Sequence, residues 1–205
     1  MEMHTLTLEQ GIDLVKLAKR AIEAQVKNLE FTDDEGLQST YAEPRGCFVT
    51  LFKSGQLRGC IGYPQTVLPL YAALVSAASD VTNRDPRFLS VKPDELADIN
   101  VEVSVLTPPA LIKVDEPQDY LEIITIGEDG LYIRSEHTSG LLLPQVAADR
   151  GWDALAFLEH TCYKAGLSIN AWKDIDGVRI YKFQSQIFEE VEPGGEIVEL
   201  VRGHL

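Results

Sequence analysis

The sequence predicts an α+β fold, antiparallel strands with flanking helices, and three observations carry that reading. An apolar stripe of helical period occupies the N-terminal region. Short apolar runs are joined by glycine-containing turns in the manner of hairpins. Helical and strand segments are interspersed without the βαβ rhythm of a parallel sheet. At 205 residues, 45% hydrophobic and 24% charged, the chain has ordinary globular composition and suits one large domain or two small lobes.

The elements follow in order. "TLEQ" from Thr7 resembles a capping box, because a hydroxyl followed three residues later by Gln10 can satisfy two of a helix's first N–H groups. Leu8, Ile12, Val15, Ala18, Ile22, Val26 and Leu29 then recur at steps of three and four, which predicts a long packed helix. "GCFVTLFKSGQLRGCIG" predicts a hairpin turning at Ser54-Gly55. That register pairs Phe52 with Leu57, Val49 with Cys60 and Cys47 with Gly62. Alternation then assigns Phe48, Thr50, Phe52, Leu57 and Ile61 to the core face. Cys47, Val49, Leu51, Arg58 and Cys60 fall on the other.

A second helix is expected from about Thr66, with Pro69 in its first turn, ending before the Asp85-Pro86 step; "NRDPRF" is then an ordered turn or loop. "PDELADI" reads as a short helix, "INVEVSVL" as an alternating strand, and proline-rich "TPPALIKVDEP" as the lobe crossing. "LEIITI", "GEDG" and "LYIRSE" predict a second hairpin. "SGLLLPQVAADRG" leads into a helix stopped at Gly151. "WDALAFLEHTCYKAG" is an amphipathic helix between an Asp153 N-cap and a Gly166 stop. "GVRIYKFQSQIFEE" reads as one long last strand. Residues 191–205 form a tail whose Ile197, Val198, Leu200 and Val201 predict docking on its own domain or a neighbour.

Eighteen Lys and Arg against 32 Asp and Glu leave a net charge of -14, which repels polyphosphate at long range and disfavours nucleic acid as a partner unless Arg45, Arg58, Arg84 and Arg87 cluster. No apolar run has the length of a membrane span and the N-terminus lacks a leader pattern, so a cytoplasmic protein is expected. Three cysteines fit a reducing compartment. The motifs of the common hydrolases, nucleotide sites and metal sites are missing, and the four histidines show no ligand spacing with the cysteines; neither metal nor cofactor is expected. His137 reads as an exposed turn residue, His160 as half-buried and structural, Cys162 as core.

Cys60 is the candidate with chemistry. A lone strand cysteine is more often packed than reactive, but Arg58 on the same expected face would lower its thiol pKa, and Gly59 and Gly62 would bare backbone N–H groups to a ligand. In a catalytic reading Cys60 is the nucleophile or redox thiol and Arg58 its activator. Asp85 orients Arg58, and Arg84 or Arg87 completes an anion pocket. Cys60 is then expected to be partly accessible and to titrate below an ordinary thiol. In a binding reading the glycine strand and the "NRDPRF" loop form a docking surface and the thiol is merely packed.

The stretch around "LRGCIG" (57–62), with "NRDPRF", "VEVSVLTP", "GLLLPQVAADRGWD" and "FLEHTCYKAGL", resembles the AMMECR-type domain over nearly the whole chain to about Glu190. The resemblance implies a single domain, residues 1–190, of two α+β lobes with the hallmark strand facing a cleft between them. It also implies a place beside a Memo-type protein and a radical S-adenosylmethionine enzyme. Small-molecule or nucleobase chemistry and a scaffold role toward the Memo-type partner are the functions it suggests. That partner is expected to contact Arg87 and Phe88.

Overall fold

A computed structural model describes residues 5–64 and 67–200. The chain divides into two units, one running to Thr107 and resuming at Gln186, the other spanning Pro108–Ser185. The first begins with α1 (Leu8–Lys27), α2 (Glu35–Thr40), β1 (Cys47–Lys53), β2 (Gln56–Tyr63), α3 (Leu70–Asp80) and β3 (Ile99–Leu106). The second holds β4 (Ala110–Leu111), α4 (Tyr120–Ile123), β5 (Gly130–Arg134), β6 (Ser139–Leu142), α5 (Pro144–Asp149), α6 (Ala154–Lys164) and β7 (Arg179–Phe183). The chain then returns to the first sheet as β8 (Ser185–Glu190) and β9 (Ile197–Leu200). The strand orders are β2-β1-β3-β8-β9 and β4-β7-β5-β6. The fold is α+β.

The local signals act as their chemistry dictates. Thr7 and Gln10 close the capping box of α1, each side chain accepting from the other's backbone N–H. The helix stops where Asn28 turns left-handed, and Leu8 and Leu29 at the ends of the apolar stripe are exposed. The middle of α1, from Leu14 to Ile22, packs with Leu70, Leu74, Ala77 and Ala78 of α3 and with the sheet into one core. Thr66 lies outside the described residues, but Val67, Leu68 and Pro69 are not helical: α3 begins at Leu70 with Pro69 as its N-cap, about a turn later than expected. Asp153 caps α6 by accepting from Ala156 N–H, and Gly151 and Gly166 take positive φ past α5 and α6.

Three expectations are corrected. The β1–β2 hairpin turns at Ser54-Gly55, both at positive φ as a tight hairpin turn requires. Phe52 pairs with Leu57, but Leu51 then pairs with Gly59, so Arg58 is an extra, bulged residue. Beyond that bulge Val49 faces Ile61 and Cys47 faces Tyr63, one residue out of the expected register. The core face of β1 is Cys47, Val49 and Leu51, all fully buried. Phe48 lies instead on the opposite face, its ring over Gly62. Cys47 and Cys60 therefore sit on opposite faces of the sheet.

"LEIITI" is not a strand. Residues Tyr120–Ile123 are helical, and β5 is bordered by β6 on one edge and β7 on the other, which leaves it no edge for a further partner. The long last strand is two strands in two sheets, β7 and β8, interrupted at Gln184. In the tail, β9 pairs antiparallel with β8, Ile197 opposite Glu190. No helix among the described residues is long and apolar enough to cross a membrane.

Candidate functional site

The site is built where β2 meets the segment after α3. Cross-strand neighbours share a face of a sheet, and the pairings Cys60 with Thr50 and Thr50 with Glu102 place one row across β2, β1 and β3 on the face away from α1. Thr50 donates from Oγ1 to Cys60 Sγ at 3.4 Å. Thr50, Glu102 and, in the next row, Ser104 are buried polar side chains, while Cys60 is half-buried. Of the three cysteines, all free, Cys47 and Cys162 are sealed in the two cores. Cys60 alone keeps contact with solvent.

The "NRDPRF" loop is tied to this strand by a carboxylate. Asp85, only 4% exposed, accepts the backbone N–H of Cys60 at Oδ2 (2.9 Å) and that of Arg87 at Oδ1 (3.1 Å). The Arg87 guanidinium grips the same carboxylate with Nε and Nη2, at 2.9 and 2.7 Å. These bonds, the Arg87 pair foremost, hold the Asp85 carboxyl far below the usual carboxylate range. Nη2 of Arg87 also reaches the Cys60 carbonyl at 3.5 Å.

Arg58 does something other than expected. Its Nε and Nη2 bind the two carboxylate oxygens of Glu95 at 3.1 and 3.0 Å, and Nη1 and Nη2 donate to the carbonyls of Leu89 and Ser90. Lys53 shares the Glu95 carboxylate, whose pKa is pushed down to about 2, chiefly by Arg58. The bulge at Arg58 turns this side chain toward the loop's far end, and Asp85 orients Arg87 rather than Arg58. Burial pushes the Cys60 thiol above its ordinary value; the Thr50 hydrogen bond and the Arg87 charge offset part of this, and the Glu102 and Asp85 carboxylates add to it. The expected depressed thiol is thereby corrected: the guanidinium beside Cys60 is Arg87, and desolvation outweighs it.

The two glycines also have packing reasons. A Cβ on Gly59 would lie 3.1 Å from the Val81 carbonyl oxygen; one on Gly62 would lie 2.1 Å from the Phe48 ring and 2.6 Å from the Cys47 carbonyl oxygen. Of the two strand N–H groups between them, that of Cys60 already serves Asp85 and is not bared to a ligand. Arg84 pairs with Asp80 at 3.2 Å and Arg45 with Glu43 at 3.3 Å, so the four arginines answer four different carboxylates. Thr50, Glu95 and Glu102 were missed from sequence. The pairing of "VEVSV" beside "FVTLF" holds the only signal for Glu102, a charge inside an otherwise apolar alternation.

His137 is an exposed turn residue and Cys162 is core, as expected. His160, expected half-buried, is exposed and stacks on Trp152. Among the described residues no group of three or more His, Cys, Asp and Glu has the geometry to hold a metal ion.

Fold and site together define a class: an α+β protein of two antiparallel-sheet units whose glycine-flanked strand carries a free, half-buried thiol beside an Asp–Arg clamp. Residues 15–188 match the AMMECR1 family model, and the chain belongs to that family. It is 50% identical to a protein of Methanothermobacter thermautotrophicus over 93% of this chain and 99% of that one. It is 48% identical to Protein MJ0810 of Methanocaldococcus jannaschii over 96% and 98%. Among solved structures it resembles the uncharacterized protein PH0010 of Pyrococcus horikoshii, with a TM-score of 0.80 and 43% identity over 94% of this chain and 97% of that one.

Proposed function

We infer that this protein binds a small anionic ligand over the Cys60–Thr50–Glu102 row, with Cys60 as its reactive group and Arg87 as the anion's partner. One observation carries the reading: a thiol, a hydroxyl and a carboxylate share one row of a sheet face, where apolar residues would stabilise more. The Arg87 side chain is 55% exposed although its inner edge is held by Asp85, so a solvent-borne anion has access to a fixed guanidinium. At neutral pH the thiol keeps its proton. It is a hydrogen-bond and proton donor to such a ligand, and a nucleophile once that proton leaves. Gly59 and Gly62 shape the strand, Arg84, paired with Asp80, stays exposed at the end of α3, and Arg58 positions the loop. The partners under this reading are a Memo-type protein and a radical S-adenosylmethionine enzyme.

The test is alkylation of the native protein with iodoacetamide, read by peptide mass spectrometry. Cys60 is expected to be modified while Cys47 and Cys162 stay intact, with a pH midpoint above that of a free thiol. A native protein refractory at Cys60 would sink the reading.

A scaffold role has its own support. Leu89 is 86% exposed, yet its carbonyl is held by Arg58 and its loop is pinned by Asp85. A pre-ordered apolar tip loses little entropy on docking. Capture of a Memo-type protein by the wild type and its loss in Leu89→Ser would establish that role; equal capture by both would remove it.

A further inference from the structure

The second unit carries an aromatic cluster that the thiol site does not use. Trp152, between α5 and α6, and His160 of α6 stack face to face, with ring centroids 3.9 Å apart and planes 6° from parallel. The Arg150 guanidinium lies 5.2 Å from the centre of the Trp152 ring. One turn along α6 from His160, Tyr163 is 73% exposed. These side chains and Lys164 border a surface cavity of ≈ 580 Å³, which Leu142 and Val146 also line.

Charge separates this place from the Cys60 site. The chain carries 32 acidic against 18 basic residues, and around Cys60 each arginine has a carboxylate partner. Here the lining holds Arg150 and Lys164 and no carboxylate. Among the described residues neither cation takes part in an ion pair. Two unneutralised cations beside three aromatic rings favour a ligand with a flat π-face and negative charge, since a ring stacks on aromatic and guanidinium planes while the anion answers the cations. The volume falls within the range of small-molecule sites.

We propose that this cavity binds a planar aromatic anion, a ring system bearing a phosphate or carboxylate. The ring lies against the Trp152–His160–Tyr163 cluster and the anion against Arg150 and Lys164. The site is built from residues of the second unit alone.

The proposal is tested by titrating the full chain with AMP and with indole-3-acetate, using adenosine as a ring without the charge and inorganic phosphate as a charge without the ring. Calorimetry and tryptophan fluorescence are the readouts; a Trp152→Phe variant, which retains only buried Trp172, reports any signal from elsewhere. At least one aromatic anion should bind with a Kd below about 1 mM and about tenfold more tightly than either fragment. Arg150→Gln and Tyr163→Ala, changes at exposed side chains, should each weaken it about tenfold with unchanged thermal unfolding. Binding of AMP alone identifies a nucleotide site, and binding of indole-3-acetate alone an aromatic-acid site. Failure of both probes to bind, or undiminished binding by both variants, overturns the proposal.

Discussion

The backbone N–H of Cys60 donates to Oδ2 of Asp85 at 2.9 Å, across 25 positions of sequence. The same carboxylate holds the Arg87 side chain through two hydrogen bonds, so one buried group fixes both the thiol's strand and the cation beside it. The other end of the loop is fixed by Arg58, through Glu95 and two carbonyls. The hallmark strand and the "NRDPRF" loop are thus two halves of one clamp.

Removing the shared carboxylate should be costly. Asp85→Ala leaves the Cys60 N–H and the inner edge of Arg87 without their acceptor, and a loss of about 3 kcal/mol is expected. Urea unfolding measures it; a change under about 1 kcal/mol would mean that water replaces the carboxylate freely.

Acid should loosen the clamp. Asp85 and Glu95 both have folded-state pKa values below their unfolded ones, so their contribution is fully present above the unfolded values and is lost as pH falls through the folded ones. For Glu95 the window runs from 4.5 down to about 2. Thermal unfolding of the wild type should fall steeply across it, and Glu95→Gln should give a flatter profile from a lower plateau. Parallel profiles would show that Glu95 titrates alike in both states.

The thiol's titration should respond to each neighbour with a definite sign. Arg87→Gln and Thr50→Val remove influences that favour the thiolate, so the alkylation midpoint of Cys60 should rise. Glu102→Gln removes a charge that opposes the thiolate, so the midpoint should fall. A midpoint indifferent to all three substitutions would place the thiol outside their field.

Both hallmark glycines should resist enlargement, to different degrees. In Gly62→Ala the new methyl meets the Phe48 ring and the Cys47 backbone, and about 2 kcal/mol or more is expected. In Gly59→Ala the Val81 contacts are 3.1 and 3.2 Å, tight but not impossible, and about 1 kcal/mol is expected. Denaturation midpoints that reverse this order would mean that the Phe48 ring moves aside easily.

Much of the fold was legible because its signals are local. The Thr7–Gln10 box, the Ser54-Gly55 turn, the Asp153 cap and the Gly166 stop each depend on residues within a few positions. Misread elements depended on distant partners. Residues 121–126 have strand-like composition, but β6 and β7 already occupy both edges of β5. His160 looked half-buried on its helix and is instead exposed against Trp152.

The sequence by itself determined the class of fold, the caps of α1 and α6, the hairpin turn and the cysteine to watch. Only the tertiary structure decided which face of the hairpin is core and which guanidinium accompanies the thiol. Parity decides the second: strand alternation has a period of two, so the single bulged residue Arg58 shifts β2 by one against β1 and puts Cys60 beside Thr50 on the face away from the core. The first is decided by packing, since α1 and α3 cover the Cys47–Val49–Leu51 face. The Asp85 and Glu95 contacts that complete the clamp join positions 25 and 37 residues apart, a distance over which no local pattern carries information.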